Sequence, residues 1–127
     1  MTGSAVLLSK CGVGLDRGAM TARKRKAVDQ YSTVTEADFQ RQVVAAARML
    51  GWECYHTFDS RHSEAGFPDC VLVKPPRILF AEIKSEQGQL SSAQMRWLNT
   101  LRECPGTAVY LWRPSDMDAA IRVLEGA

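Results

Sequence analysis

The chain has 127 residues, of which 46% are hydrophobic and 24% are charged. This length favours a single domain, and this composition excludes a wholly disordered chain, a collagen-like repeat and a membrane span. The net charge of +2 is unevenly distributed, because residues 1–30 carry +4 and residues 31–127 carry −2. We therefore predict a flexible basic leader over residues 1–30 and a mildly acidic domain over residues 31–127.

The first predicted element is a helix over residues 36–50. Thr35 is a good N-cap and Asp38 occupies the third helical position, whereas Gly51 is suited to stopping the helix. Glu36 and Gln40 are predicted to border the apolar stripe that faces the core. That stripe has helical spacing and comprises Phe39, Val43, Ala46, Ala47 and Leu50.

The rest of the chain alternates between strand and helix patterns, which gives the overall order αβββαβα. We predict strands over residues 52–58, 69–74, 77–85 and 107–112, and helices over residues 92–103 and 114–124. Ser91 or Ser92 caps the second long helix, with Met95, Leu98 and Leu101 facing inward. The order predicts an α/β fold with a mixed central sheet flanked by helices and a short C-terminal helix.

The second and third strands are predicted to form a hairpin centred on Pro75-Pro76. In that register Asp69 lies directly opposite Glu82, and Lys84 projects from the same face as Glu82 because side chains alternate along a strand. A slip that keeps the core face buried moves in steps of two residues and leaves both carboxylates on one side.

Two carboxylates and an ammonium group at the end of an apolar strand pair suggest a metal site. Paired acids repel each other unless a cation lies between them, and Mg²⁺ or Mn²⁺ prefers oxygen ligands. Asp69, Glu82 and the backbone carbonyl of Ile83 offer three such ligands, and Lys84 is suited to orienting a water for attack on phosphorus. The alternative is a solvated strand edge, since the pattern is short.

Three motifs of this chain resemble the virus-type replication-repair nuclease (VRR-NUC) domain of the PD-(D/E)XK nuclease superfamily. They are residues 66–69 (GFPD), 80–85 (FAEIKS) and 90–94 (LSSAQ). The resemblance covers roughly residues 35–125 and implies the restriction-endonuclease-like fold. It implies that Asp69 and Glu82 bind metal, that Lys84 is the catalytic lysine, that Glu36 completes the metal site and that Gln94 is the family's glutamine.

The resemblance also implies a substrate and an assembly. Small stand-alone members look phage-borne, act as metal-dependent, structure-selective DNA endonucleases and cut Holliday junctions as homodimers. The remaining possibilities are a nicking, flap-processing or restriction-type nuclease and, in a different class, a catalytically inactive DNA-binding module. An intact set of Asp69, Glu82 and Lys84 argues against the inactive module.

Several polar side chains outside these motifs are candidate DNA contacts. Ser60, Arg61 and Ser63 precede the Gly-Phe-Pro-Asp turn, and hydroxyl and guanidinium groups commonly contact phosphates. In the leader, the basic run Arg23, Lys24, Arg25 and Lys26 is expected to add nonspecific DNA affinity.

The sequence leaves other side chains undecided. His56 is more often a packed or surface histidine than a site residue, and Arg113 is suited either to a salt bridge or to a phosphate. Trp97, Tyr110 and Trp112 are expected in the core or in a dimer interface instead of serving as base-stacking platforms.

The cysteines indicate the compartment. Their spacing contains no Cys-x-x-Cys pair, which argues against a zinc site and for reduced thiols in a reducing compartment such as the cytoplasm. The four are Cys11, Cys54, Cys70 and Cys104.

Overall fold

A computed structural model describes residues 30–57 and 59–126 of the chain. The predicted leader, apart from residue 30, and its basic run Arg23 to Lys26 lie outside the described residues. The helices are α1 (Glu36–Met49), α2 (Ser92–Arg102) and α3 (Met117–Leu124), and the strands are β1 (Glu53–His56), β2 (Cys70–Lys74), β3 (Arg77–Ile83) and β4 (Ala108–Trp112). Single 3₁₀ turns occupy Ser60–His62 and Pro114–Asp116. The order αβββαβα predicted from the sequence is confirmed.

The four strands form one mixed sheet in the order β1-β2-β3-β4. Strand β2 is antiparallel to both β1 and β3, whereas β3 and β4 run parallel and are connected by α2 as a crossover. In the hairpin Lys74 pairs with Arg77 and Cys70 pairs with Ala81, so the predicted register about Pro75-Pro76 is confirmed. The same register carried one residue further places Asp69 opposite Glu82.

The two faces of the sheet have separate apolar cores. Helices α1 and α3 cover one face, where the large buried side chains include Phe39, Leu72, Leu79 and Trp112. Helix α2 covers part of the other face with a smaller cluster of Leu98, Val109 and Leu111. Asp69, Glu82 and Lys84 project from this second face at its end, which leaves them between the first turn of α1 and the first turn of α2.

The ends of the long helices follow their sequence signals. The Thr35 hydroxyl accepts a hydrogen bond from the Asp38 N–H at 3.0 Å, as the predicted N-cap requires. Gly51, which follows the C-cap residue, has a φ of +92°, a conformation that favours glycine. Ser91 is the N-cap of α2, which decides between the two serines proposed from the sequence.

Three details of the prediction are wrong. Met95 is 39% exposed, because it lies one turn before the Leu98 cluster and is not part of it. The predicted strand over residues 52–58 is observed as Glu53–His56. Trp52 precedes it, because this residue is buried in the core with its ring N–H donating to the Leu124 carbonyl at 2.9 Å, and Phe58 lies outside the described residues. The last helix begins at Met117, since the residues from Pro114 form a 3₁₀ turn first.

Other expectations hold within the described residues. Cys54, Cys70 and Cys104 are free thiols. Tyr110 and Trp112 stack on each other in the core with ring centroids 5.2 Å apart. None of the helices in the described part of the chain combines the length and the apolar character that a membrane span needs.

Candidate active site

The Gly-Phe-Pro-Asp turn is held against the first turn of α2. Gly66 has a φ of +90°, and a Cβ built on it would lie 2.5 Å from the carbonyl carbon of Ala93. A side chain at residue 66 is therefore excluded by both the backbone conformation and the neighbouring helix. Pro68 is fully buried behind this contact. The glycine thus brings the acidic end of the turn close to the helix that carries Gln94.

Asp69 is fixed by the neighbouring strand. Its Oδ2 accepts a hydrogen bond from the backbone N–H of Ile83 at 2.9 Å, and its carbonyl accepts one from Thr57 at 3.3 Å. These bonds join Asp69 to β3 and to the end of β1. The Asp69 carboxylate is therefore held by one backbone N–H of β3, and the Asp69 backbone is held by the residue that follows β1.

Glu82 is the one charged or polar residue among the described buried residues, and it is 0% exposed. Its Oε2 accepts a hydrogen bond from Gln94 Nε2 at 3.1 Å and lies 4.0 Å from Lys84 Nζ. Its Oε1 is buried without any hydrogen-bond partner among the described residues. Burial raises the pKa of Glu82 to about 9, and the charge on Asp69 acts in the same direction.

Gln94 has two functions in this arrangement. Its Oε1 accepts a hydrogen bond from the Ser91 N–H at 2.8 Å while its own N–H donates to Ser91 Oγ at 3.1 Å, which is a capping box at the start of α2. This contact uses the carbonyl end of the amide, so the NH₂ end points to Glu82. The capping role was missed from the sequence, although the Ser-x-x-Gln spacing is itself the signal of a capping box.

Glu36 approaches the two carboxylates from the other side. It is the first residue of α1, and its pKa is raised by partial burial and by the charge on Asp69, whereas Lys84 lowers it. Glu36 is nevertheless an exposed residue, so the expectation that it turns away from open water is wrong. The cause is its place in the first turn of α1, ahead of Phe39, the first buried residue of that helix.

The acidic residues do not form a closed ligand set. Among residues 30–57 and 59–126, no three His, Cys, Asp or Glu side chains are grouped closely enough to hold a metal ion. Asp69 and Glu82 are adjacent, whereas Glu36 belongs to a helix packed on the opposite face of the sheet. The Ile83 N–H is used by Asp69, and its carbonyl remains a predicted ligand.

The polar loop before the turn is organised around Asp59. Its carboxylate accepts a hydrogen bond from the Arg61 N–H at 3.0 Å and contacts the His62 ring at 2.7 Å, and these contacts lower the pKa of Asp59. The Arg61 guanidinium is 86% exposed, with its Nε 3.6 Å from Asp59. Ser60 begins the 3₁₀ turn. Ser63 donates to the Asp59 carbonyl at 3.1 Å. Unlike Arg61, Ser63 also lines a cavity beside the carboxylates.

A cavity of about 690 Å³ opens beside the carboxylates. It extends from Glu36, Asp69 and Gln94 toward Tyr55 on β1 and Trp97 on α2. No pattern in the sequence signals this cavity, because it depends on how far α2 covers the sheet. Exposed His56, on the edge strand, is not among its lining residues.

Arg113 holds the loop between β3 and α2. Its Nη1 lies 2.8 Å from the Ser85 carbonyl, 3.2 Å from the Glu86 carbonyl and 2.7 Å from the Gly88 carbonyl. Glu86 in turn accepts hydrogen bonds from the N–H and hydroxyl of Ser115. The sequence left Arg113 open between a salt bridge and a phosphate contact, and the structure shows a third use, since the guanidinium binds backbone carbonyls.

Comparison with known protein families identifies the family of this chain. Residues 18–113 match the family model of the VRR-NUC domain, so the match includes α1 with Glu36, the hairpin with Asp69 and Glu82, and α2 with Gln94. No curated protein sequence matches the chain. Because the match spans most of the chain and all of these elements, this protein belongs to the VRR-NUC family and contains a nuclease domain.

Proposed function

We propose that the chain is a divalent-metal-dependent DNA endonuclease that hydrolyses phosphodiester bonds at branch points, including Holliday junctions. The observation that carries the proposal is the buried Glu82 carboxyl group, which has one oxygen without a partner among the described residues and lies beside Asp69 and Lys84. A buried carboxyl group of this kind lowers the stability of the fold unless a ligand uses it. Such groups are characteristic of functional sites.

The residues present fit a hard divalent cation such as Mg²⁺ or Mn²⁺. The free Glu82 oxygen needs a positive partner, and the neighbouring donors are also oxygens, which these ions prefer. Asp69, Glu82 and the Ile83 carbonyl would hold the ion, with Glu36 as the fourth group on the other side. When bound, the ion supplies a Lewis acid that polarises the phosphodiester and lowers the pKa of a water molecule.

The surrounding side chains have roles of their own. Lys84 is only 11% exposed, so its ammonium group acts in a low-dielectric environment and stabilises negative charge that develops at the phosphate. Gln94 binds Glu82 Oε2 and thereby keeps the other carboxyl oxygen directed away from α2. Ser63 lies at the cavity wall and Arg61 on the adjoining surface, where both are available to DNA phosphates, and Ser60 stays a predicted phosphate contact.

Cutting two strands of a junction requires two sites. Each chain contains one Asp69–Glu82 pair, so a pair of symmetric cuts implies a homodimer related by a two-fold axis. The basic run Arg23 to Lys26 would add a nonspecific contribution to DNA binding from each chain. The free thiols fit a reducing compartment such as the cytoplasm.

The test is cleavage of four-way, flap, bubble and linear DNA, with Mg²⁺ and with EDTA. We expect the wild-type chain to cut branched DNA only with metal, and the variants Asp69→Ala and Lys84→Ala to lose about 100-fold or more of the rate. Asp118→Ala, which removes an exposed acid of α3, is the matched control. Cleavage that is equal in wild type and both variants would contradict the assignment.

The substrate profile separates the alternatives. Preference for flaps or single nicks would replace the junction proposal, and cutting of linear duplex at a fixed sequence would indicate a restriction-type enzyme. Metal-independent DNA binding without any cleavage would leave a DNA-binding module. Sedimentation of the chain on junction DNA tests the homodimer.

A further inference from the structure

The cavity beside the carboxylates has an aromatic wall. Phe67 and Trp97 pack edge to face with centroids 5.0 Å apart, and Phe67 also contacts Phe80 at 5.9 Å. Across the same cavity Tyr55 projects from the edge strand and is 62% exposed. Tyr55 therefore presents a ring to the cavity that no described neighbour covers.

The cavity also contains unused polar capacity. Trp97 Nε1 has no hydrogen-bond partner among the described residues but is itself buried, so the donor that an occupant can reach is the exposed Arg96 guanidinium. The Arg96 guanidinium lies 5.8 Å from the Trp97 ring and also lines the cavity. Aromatic rings beside donor groups match a planar heteroaromatic ligand that carries acceptors.

The position of the cavity identifies that ligand more closely. Asp69 and Gln94 belong both to the cavity lining and to the proposed phosphodiester site, so an occupant is contiguous with the phosphate that is cut. A nucleobase joined through its sugar to that phosphate has the right chemistry at both ends. A base in duplex DNA is paired and stacked on both faces, so only an unpaired base can enter such a cavity.

We infer that this cavity binds the base of an unpaired nucleotide next to the scissile phosphate, with Tyr55 as the stacking residue. This inference rests on the proposed nuclease function and adds that a nucleotide at the branch is unpaired in the bound DNA, which in a Holliday junction requires a base pair at the crossover to open. It also assigns Trp97, which the sequence placed in the core or in an interface, to the wall of a ligand site.

The experiment first maps the cleaved bond on branched DNA with Mg²⁺, which tests the proposed function separately. Affinity is then measured by fluorescence anisotropy with Ca²⁺ in place of Mg²⁺. Two DNAs share one sequence, and one of them carries an unpaired nucleotide at the mapped position. A third DNA has an abasic nucleotide at that same position.

We expect Tyr55→Ala to weaken binding of the DNA with the unpaired nucleotide by about 5- to 100-fold, the range for loss of one base–aromatic stack. Tyr55→Phe retains the ring and should bind like the wild type. Binding of the fully paired DNA should change less than about twofold, since its bases remain stacked. Met49→Ala is the control, because Met49 is an exposed apolar residue at the far end of α1.

The abasic DNA makes the result decisive. The abasic DNA should bind the wild-type chain as weakly as the DNA with the unpaired nucleotide binds Tyr55→Ala. Binding of the abasic DNA to Tyr55→Ala should be no weaker than either of these. Equal losses for paired and unpaired DNA, or full affinity for abasic DNA, would overturn the inference. Because cleavage by the wild type is measured independently, such a result leaves the nuclease function standing, whereas absence of cleavage removes that function.

Discussion

The substitution Glu82→Gln tests the central feature of the site in a single measurement. In the metal-free chain burial and Asp69 raise the pKa of Glu82 to about 9 from an ordinary value of 4.5, so the folded chain carries a proton at neutral pH that the unfolded chain lacks. Glutamine has the same shape and no charge. Its amide can accept the Gln94 hydrogen bond and donate one toward Asp69. We therefore expect the variant to fold more stably without metal.

The magnitude follows from proton linkage. Between the two pKa values the folded state binds one more proton than the unfolded state, so the free energy of unfolding falls as pH rises, by about 1.4 kcal/mol per pH unit. This part of the stability is fully present below the ordinary pKa and is lost progressively up to the raised one. At about pH 7 the accumulated loss from Glu82 is about 3 kcal/mol, which Glu82→Gln removes.

The assay is urea unfolding in EDTA at about pH 5.5 and about pH 8, with the free energy taken by linear extrapolation. Subtracting the variant from the wild type cancels the contribution of every ionisable group that both proteins share. The difference should widen by about 3 kcal/mol between the two pH values. Glu103→Gln, at the exposed end of α2, is the matched control and should follow the wild type.

Addition of Mg²⁺ should reverse the order of stability. A ligand that binds only the folded state stabilises it, so the wild-type chain gains stability with metal concentration whereas Glu82→Gln gains little. The gain should be larger at the higher pH, because the Glu82 proton must leave before its oxygen binds the ion. A variant that is less stable than wild type in EDTA at both pH values refutes the reasoning.

Three further predictions concern the supports of the site and the leader. Gly66→Ala should lose about 2 kcal/mol or more of unfolding free energy. Gly106 also has a positive φ of +89°, but a Cβ at this residue has nothing within 4 Å, so Gly106→Ala should lose less unfolding free energy in urea. Equal losses for the two variants would show that contact between residue 66 and Ala93 adds no cost. Because Arg113→Ala frees three backbone carbonyls, it should lower the cleavage rate and speed amide exchange in residues 85–90. Exposed Arg122→Ala is the control, and unchanged exchange in Arg113→Ala would show that Arg113 does not hold this loop. Neutralising residues 23–26 should flatten the salt dependence of DNA binding while cleavage at saturating DNA stays the same. The slope of log binding constant against log salt concentration should fall by about 0.9 for each phosphate that the leader no longer neutralises. An unchanged slope would show that the leader does not bind DNA.

Local signals predicted the hairpin and the helix caps well. The register about Pro75-Pro76 followed from alternation along two apolar strands, because any shift by one residue would expose the core face. The N-cap hydrogen bond of Thr35 joins residues only three positions apart, so the local sequence is enough to predict it. Features that depend on short separations or on strict periodicity are therefore accessible without coordinates.

Features that depend on the packing of distant elements were not accessible. The cavity exists because α2 covers only part of one sheet face, and no pattern in residues 92–103 specifies that extent. The Arg113 contacts join residues 25 to 28 positions apart through backbone carbonyls, which have no sequence signature. Met95 lies three residues before Leu98 and so has the helical spacing of a core residue, but only Leu98 packs in the cluster against the sheet, and Met95 is exposed.

The position of Glu36 connects the open ligand set to binding of DNA. The Asp69–Glu82 pair is held rigidly by β2, β3 and α2, whereas Glu36 is exposed at the first turn of a helix on the other side of the sheet. Three carboxylates brought to one point would repel a phosphate as well as one another, so in the proposed function neither DNA nor Glu36 is favoured there before the cation. In the proposed function the cation neutralises these acids, and an exposed Glu36 can complete the ligand set by side-chain rotation without movement of the sheet. The mild net charge of the chain is thus compatible with the proposed DNA substrate, because the acids that oppose DNA are those that the proposed metal would neutralise.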